Sequence, residues 1–193
     1  AAGERAVAAY QEILDREPGN EDAYRAVVFL YGQMRNEEKV NELLLQSAND
    51  FSFPNGRRAE AFVILASKQW NCSYEITEQK ENKTTEQKTD KVLIHYKKPA
   101  NQADFDKANQ CTTEGLKLAE EAIGLDQSNA NAWSYKANLL REKMKLAEMS
   151  GDNTAKDDFG KQYETALETQ KRLAAEEVKR KEEEAAKSPT PPA

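Results

Sequence analysis

Recurring amphipathic helix pairs are the feature that most restricts how this chain of 193 residues can fold. The opening segment places a small, an aromatic and an aliphatic residue before a proline at helical spacings, at Ala6, Tyr10, Ile13 and Pro18. Residues 21–49 then show two apolar helical faces on either side of a polar turn. Because each pair has a face too apolar to remain in water, we expect neighbouring pairs to stack on one another.

Two later segments continue the pattern. One begins after a Pro-Asn-Gly turn and places Phe62, Leu65, Ala66 and Gln69 at the aromatic, leucine, small and aromatic positions of a first helix, and three of the four match in type. The other opens at residue 131, with its signature positions at Trp133, Ala137 and Leu140. A long last helix from about Thr154 is expected to bury one stripe of side chains, made of Phe159, Tyr163, Ala166, Leu173 and Val178.

These units resemble tetratricopeptide repeats over roughly residues 1–170, and we expect a bacterial protein with degenerate repeats. The resemblance implies an all-α fold, a right-handed superhelical array of antiparallel helix pairs. An irregular all-helical domain is the alternative, because a helical bundle shows the same amphipathicity. We expect the repeat domain to cover residues 1–178, and residues 179–193 to form a charged helix end and a Pro-rich flexible tail.

An insertion at about residues 75–98 interrupts the third helix pair. We predict a small β-hairpin in which SYEITEQ and KVLIHY are the strands and the polar ENKTTEQKTD connects them. A solvated loop is the alternative, because an isolated two-stranded ribbon is barely stable. The apolar side chains of the second strand are expected to dock on a neighbouring helix or on a partner protein, and they are Val92, Leu93, Ile94 and Tyr96.

Charge and hydropathy exclude two classes of partner. The 28 Lys and Arg residues against 34 Asp and Glu give a formal charge of -6, which repels a phosphate backbone, so we expect no nucleic-acid partner. No run of about 18 apolar residues occurs, so we expect no direct membrane insertion. Hydrophobic residues make up only 38% of the chain, which predicts a narrow or elongated core.

The two cysteines bear on the cellular compartment. Cys72 ends one predicted helix, and Cys111 lies in the helix expected to run back beside it, so a disulfide could close the insertion at its base. Such a bond would contribute on the order of 3–4 kcal/mol in the chain-entropy model. It would favour an exported, for example periplasmic, location over the cytoplasm. Buried free thiols are the alternative.

Few residues could support catalysis. The only histidine is His95, so a nucleophile or thiolate-metal site would have to combine it with Cys72 or Cys111. The glycines form no loop that could cradle a phosphate. We therefore expect a non-enzyme with no metal and no cofactor, and an enzyme or metal-binding protein centred on these three residues is the alternative function.

The resemblance implies that the first helix of each pair lines a concave groove. On this resemblance the inward-facing positions are Asp22, Arg25 and Phe29, then Glu60, Val63, Ser67 and Trp70, and finally Asn131, Ser134, Asn138 and Arg141. Such a mixed surface could hold an extended peptide by side-chain hydrogen bonds and a few apolar anchors. The expected function is a non-catalytic scaffold or adaptor whose partner is another protein, with an accessory subunit of a larger, membrane-associated assembly as a subtype that docks through the insertion.

Overall fold

A computed structural model describes residues 2–187, which form seven α-helices and one β-hairpin. The helices are α1 (Ala2–Arg16), α2 (Glu21–Gln33), α3 (Glu37–Asn49), α4 (Asn55–Thr77), α5 (Gln102–Leu125), α6 (Ala130–Ser150) and α7 (Asn153–Lys187). The strands β1 (Lys83–Gln87) and β2 (Val92–Tyr96) lie between α4 and α5. The all-α prediction and the small hairpin are confirmed, while the tail expected at residues 188–193 lies outside the described residues.

Asparagine side chains fix where four of the helices begin. The side-chain oxygens of Asn20, Asn36, Asn101 and Asn129 each accept a hydrogen bond from a backbone N–H in the first turn of α2, α3, α5 and α6, at 3.0–3.1 Å. An Asn at this position satisfies a donor that the helix itself leaves unpaired, which contributes about 1 kcal/mol. Gly151, with φ of 71°, ends α6 in the left-handed conformation that glycine tolerates best.

Each helix packs on its neighbours in the chain, and α4 also packs on α6. The main core lies where α3, α4 and α5 meet, around Leu44, Phe62 and Leu65. At Gly115 of α5, an added Cβ would lie 2.6 Å from Leu139 Cδ2 and 3.0 Å from Gln69 Cβ. The missing side chain therefore allows α4, α5 and α6 to approach closely.

The prediction for the first strand of the hairpin was wrong. The segment predicted to form it continues α4 as far as Thr77, because the helix buries Ser73, Ile76 and Thr77 against the core. Strand β1 instead comes from the polar segment expected to be the connection, and it pairs antiparallel with β2. Asn82 closes the base of the hairpin. Its side-chain Nδ2 donates to the backbone carbonyl of Ile76 at 2.8 Å, and its own backbone carbonyl accepts from the Lys97 N–H at 3.0 Å.

The last helix leaves the core earlier than its apolar pattern predicted. Ala166 and Leu173 of α7 are buried, and Phe159 and Tyr163 pack against the α6 side of the core. Val178 is 56% exposed, so its predicted burial was wrong. Beyond Leu173 the helix carries i,i+4 ion pairs, and each of these contributes only a few tenths of a kcal/mol to its stability.

Candidate functional site

A largely apolar cavity of about 290 Å³ lies between α2 and α4. Its residues come from three helices, because Leu44 of α3 joins residues of α2 and α4 in the lining. The lining consists of Glu21, Tyr24, Arg25, Val28, Phe29, Leu44, Arg57, Glu60, Ala61 and Ile64. Phe29 is 63% exposed, so the lining of this cavity includes a large apolar side chain that lies mostly open to solvent.

Charged residues of the cavity join the two helices. Arg25 Nη2 lies 3.3 Å from Glu60 Oε2 across the α2–α4 gap and 3.6 Å from Glu21 Oε2 on its own helix. All three side chains are at least half exposed, so the two ion pairs contribute less than about 1 kcal/mol to the stability of the fold. The exposed charges are thus available to a ligand with little loss of stability.

Arg57 is the buried charge of this region. Its guanidinium carbon lies 3.6 Å from the Phe53 ring centroid and 4.4 Å from that of Tyr24. Its Nε donates to Ser47 Oγ at 3.4 Å, while Nη1 is buried without a hydrogen-bond partner among residues 2–187. Burial lowers the pKa of Arg57 from its ordinary value. Sequence reasoning missed this residue, because an arginine at a helix start usually faces solvent.

The structure brings together three of the predicted groove residues, Arg25, Phe29 and Glu60, around this cavity. Val63 does not line a surface, because it is 8% exposed and packs in the core, so that prediction was wrong. The ring of Trp70 is half-buried and lies 5.1 Å from the Tyr74 ring and 6.2 Å from the Tyr135 ring.

The remaining predicted groove residues are more dispersed. Asn131 lines a second cavity that α6 shares with Arg180 of α7, rather than the cavity between α2 and α4. Others are exposed or half-buried on their helices, and these are Asp22, Ser67, Ser134, Asn138 and Arg141. Of the predicted groove residues, Arg25, Phe29 and Glu60 are the ones that line the cavity between α2 and α4.

A buried ionic network holds the hairpin against α4 and α6. Lys145 Nζ donates to Glu142 Oε1 at 2.5 Å and to Glu78 Oε1 at 2.7 Å. Thr77 Oγ1 donates to the other Glu142 oxygen at 2.6 Å, and Glu142 is only 1% exposed. Buried charges persist only when they are paired and hydrogen-bonded, as they are here. The network joins residues far apart in sequence, which is why the sequence gave no sign of it.

Tyr96 of β2 connects the hairpin to this network. Its hydroxyl donates to Glu78 Oε1 at 2.9 Å, and its backbone N–H donates to Glu148 Oε1 at 3.0 Å. Burial acts to raise the pKa of Glu78, but hydrogen bonds from Lys145, Lys83 and Tyr96 outweigh it and hold the pKa at about 2. Burial and the bond to Glu78 raise the pKa of Tyr96.

The predicted docking side chains of β2 divide into two groups. Val92 and Ile94 are 53% and 50% exposed and leave an apolar pair on the hairpin surface. Leu93 is half-buried, and Tyr96 packs inward beside Ile76 and Met149. The structure therefore places Tyr96 in the anchor of the hairpin and leaves only Val92 and Ile94 open for a partner.

Cys72 and Cys111 form a disulfide between α4 and α5, with their Cα atoms 6.1 Å apart. No free thiolate therefore remains at these positions for a nucleophile or a metal. His95 lies on the hairpin, with Nε2 3.1 Å from Glu86 Oε2 and Nδ1 3.5 Å from Glu148 Oε1. Within residues 2–187, no three His, Cys, Asp or Glu side chains come together as a metal site.

Comparison with protein-family models, with curated proteins and with solved structures found no match to this chain. Among the described helices, none combines the length and the apolar character that crossing a bilayer requires. The candidate site is consequently defined by its geometry alone: an apolar cavity with charged residues between α2 and α4, and an anchored hairpin with two exposed aliphatic side chains.

Proposed function

We propose that this chain is a non-catalytic adaptor of tetratricopeptide-repeat type, which holds a segment of another protein along the side formed by α2, α4 and α6. The helix order supports the repeat assignment, because α4 packs both on its neighbour α5 and on α6, the next first helix of the proposed array. The proposed array is a right-handed superhelix of three antiparallel helix pairs, which are α2 with α3, α4 with α5, and α6 with α7.

The cavity between α2 and α4 is the observation that carries the proposal. Its apolar lining and the exposed ring of Phe29 suit an apolar side chain of an extended peptide, while Arg25 and Glu60 suit the polar backbone and side chains around it. Interface energy concentrates in a few desolvated anchors surrounded by weaker polar contacts. A cavity of about 290 Å³ has room for one such anchor.

A peptide library displayed on phage and selected on the purified chain tests this proposal. We expect the selected peptides to share one large apolar residue, and the Phe29→Ser variant to bind them at least tenfold more weakly, because removal of an interface anchor costs about 2 kcal/mol or more. Phe51→Ser is the matched control, since Phe51 is an 85% exposed phenylalanine outside the cavity. Equal binding by the two variants would contradict the groove as the binding site.

A second candidate function is docking of the chain, as an accessory subunit, into a larger assembly through the hairpin. The exposure of Val92 and Ile94 on a hairpin that the ionic network holds in place favours it. We expect the Val92→Ser/Ile94→Ser double variant to dissociate from its native complex on size-exclusion chromatography. The control is Val178→Ser, which removes an exposed valine from α7. Co-elution of the double variant with the complex would exclude this candidate.

The disulfide between Cys72 and Cys111 supports an exported location, because such bonds persist in oxidising compartments. Maleimide labelling of the protein, acid-quenched directly from its native cells, tests this placement. We expect no labelling before reduction and labelling of two thiols after it. Complete labelling without reduction would place the chain in a reducing compartment.

A further inference from the structure

A trough runs between α3 and α5, over a face of α4 that does not line the α2–α4 cavity. Its volume is about 940 Å³, and the two recesses have no lining residue in common. Helices α3 and α5 both pack closely on α4 but scarcely on each other. Packed helices lie about 8–10 Å apart, so three helices arranged in this way leave the fourth corner of a helix bundle open.

The lining of the trough has the spacing of a helix-packing surface. Its floor is one stripe of α4, in which successive positions are four or three residues apart, made of Arg58, Phe62, Leu65, Gln69 and Cys72. Asn41, Leu45 and Asn49 form the α3 wall with a spacing of four residues, and the bond from Cys72 to Cys111 fixes the α5 wall to the floor. At a rise of 1.5 Å per residue the floor is about 21 Å long, which is roughly four turns of a helix.

Two large apolar side chains of the trough are open to solvent. Leu45 on the α3 wall is 49% exposed, and Phe51, which follows α3, is 85% exposed. Phe62 and Leu65 add apolar surface at the floor between the walls. An amphipathic helix that lays its apolar stripe in a groove covers side chains in this arrangement.

Charge indicates what the rest of such a helix carries. Six charged side chains line the trough, four of them cationic and two acidic, and these are Arg58, Lys68, Lys107, Lys117, Glu114 and Glu121. The lining is therefore positive, although the whole chain has a formal charge of -6. Lys68 is paired with Glu37, but Lys107 and Lys117 on the α5 wall are exposed and form no ion pair within residues 2–187. Complementary charge at an interface speeds association and selects the partner.

We propose that the trough binds an amphipathic helix of another protein, with its apolar stripe against Leu45 and the α4 floor and its acidic residues beside Lys107 and Lys117. This helix differs in conformation and in binding surface from the extended segment assigned to the α2–α4 cavity. The inference therefore goes beyond the adaptor function and stands or falls apart from it.

A phage-displayed library of amphipathic helices with randomised flanks, selected on the full chain at low ionic strength, tests the proposal. We expect the enriched helices to carry Asp or Glu beside the apolar stripe and to bind more weakly as salt is added. No enriched helix, or enrichment of basic flanks, would overturn the proposal.

An aspartate at position 45 then locates the apolar contact. We expect the enriched helices to bind folded Leu45→Asp at least tenfold more weakly, with folding checked by circular dichroism. Phe29→Ser is the matched control and should bind like the parent chain, because Phe29 lines the other cavity. Loss of binding in Phe29→Ser with unchanged binding in Leu45→Asp would place the helix at the α2–α4 cavity and would overturn the assignment to the trough.

The two lysines of α5 are tested together. We expect Lys107→Gln/Lys117→Gln to weaken binding at low salt on the order of threefold to tenfold, as for the loss of two exposed ion pairs. Lys80→Gln/Lys91→Gln removes the same charge from exposed positions outside the trough. An equal loss in both double variants would show that net charge alone governs binding, and it would contradict the contact with the α5 wall.

Discussion

Lys145 offers the most quantitative test of how the hairpin is held. It is 5% exposed and is the single cation between Glu142 and Glu78 in the described network, at 2.5 and 2.7 Å. Replacing it with methionine keeps the aliphatic stem but leaves Glu142 buried with only the hydroxyl groups of Thr77 and Ser73 as donors. Breaking a buried pair in this way costs about 3–5 kcal/mol.

The matched variant removes both charges, as Glu142→Leu/Lys145→Met. Well-packed apolar replacements of a buried ion pair are often neutral or stabilising, although here the two hydroxyl groups lose their acceptor at a cost of about 1–3 kcal/mol. We therefore expect the double variant to recover at least about 2 kcal/mol relative to Lys145→Met, measured by urea unfolding with unchanged m-values. A loss under about 1 kcal/mol for Lys145→Met, or simple additivity in the double variant, would refute this reasoning.

The remaining predictions concern the disulfide and acid stability. The Cys72→Ser/Cys111→Ser variant should lose roughly 3–4 kcal/mol of unfolding free energy, since the bond closes a loop with a sequence separation of 39; urea midpoints within error of the parent chain would contradict this. The folded-state pKa of Glu78, about 2, lies below the ordinary 4.5, so its stabilisation is complete above pH 4.5 and disappears as the pH falls through about 2. Glu78→Gln should therefore flatten the loss of stability on acidification; parallel pH profiles of the two proteins would count against it.

Local sequence signals predicted most of the helical architecture. The two apolar helical faces of residues 21–49 predicted α2 and α3, and the signature positions Trp133, Ala137 and Leu140 predicted α6. Strand β2 was predicted from its cluster of β-branched and aromatic residues. These helices and this strand depend on residues that are close in sequence, so a single sequence is enough to predict them.

Features that depend on distant contacts were missed. The extension of α4 to Thr77 is stabilised by Glu142, whose Oε2 lies 2.6 Å from Thr77 Oγ1 across a separation of 65 residues. The polar β1 segment has no strand signal of its own and forms only because β2 supplies its partners. Val63 looked like a surface position because the groove assignment came from a repeat pattern, whereas the packing of α4 between its neighbours buries it.

The groove residues show the same division. The resemblance placed Arg25, Phe29 and Glu60 on first helices, and the structure collects them at one cavity. It gave no indication of Arg57, whose burial depends on the rings of Phe53 and Tyr24. A single sequence can therefore indicate residues that come together around one cavity, but it does not reveal which buried charge lies there.

Photo-cross-linking in the native cells shows directly whether a partner protein occupies the cavity between α2 and α4. A benzoylphenylalanine at position 29 would lie at the cavity between α2 and α4, and the same group at position 51 would lie outside it. We expect one reproducible protein adduct from position 29, which mass spectrometry maps to a single partner segment. We expect this adduct to be absent when the group is at position 51. No adduct from position 29, or the same adduct from both positions, would contradict the assignment of this cavity as the partner-binding site.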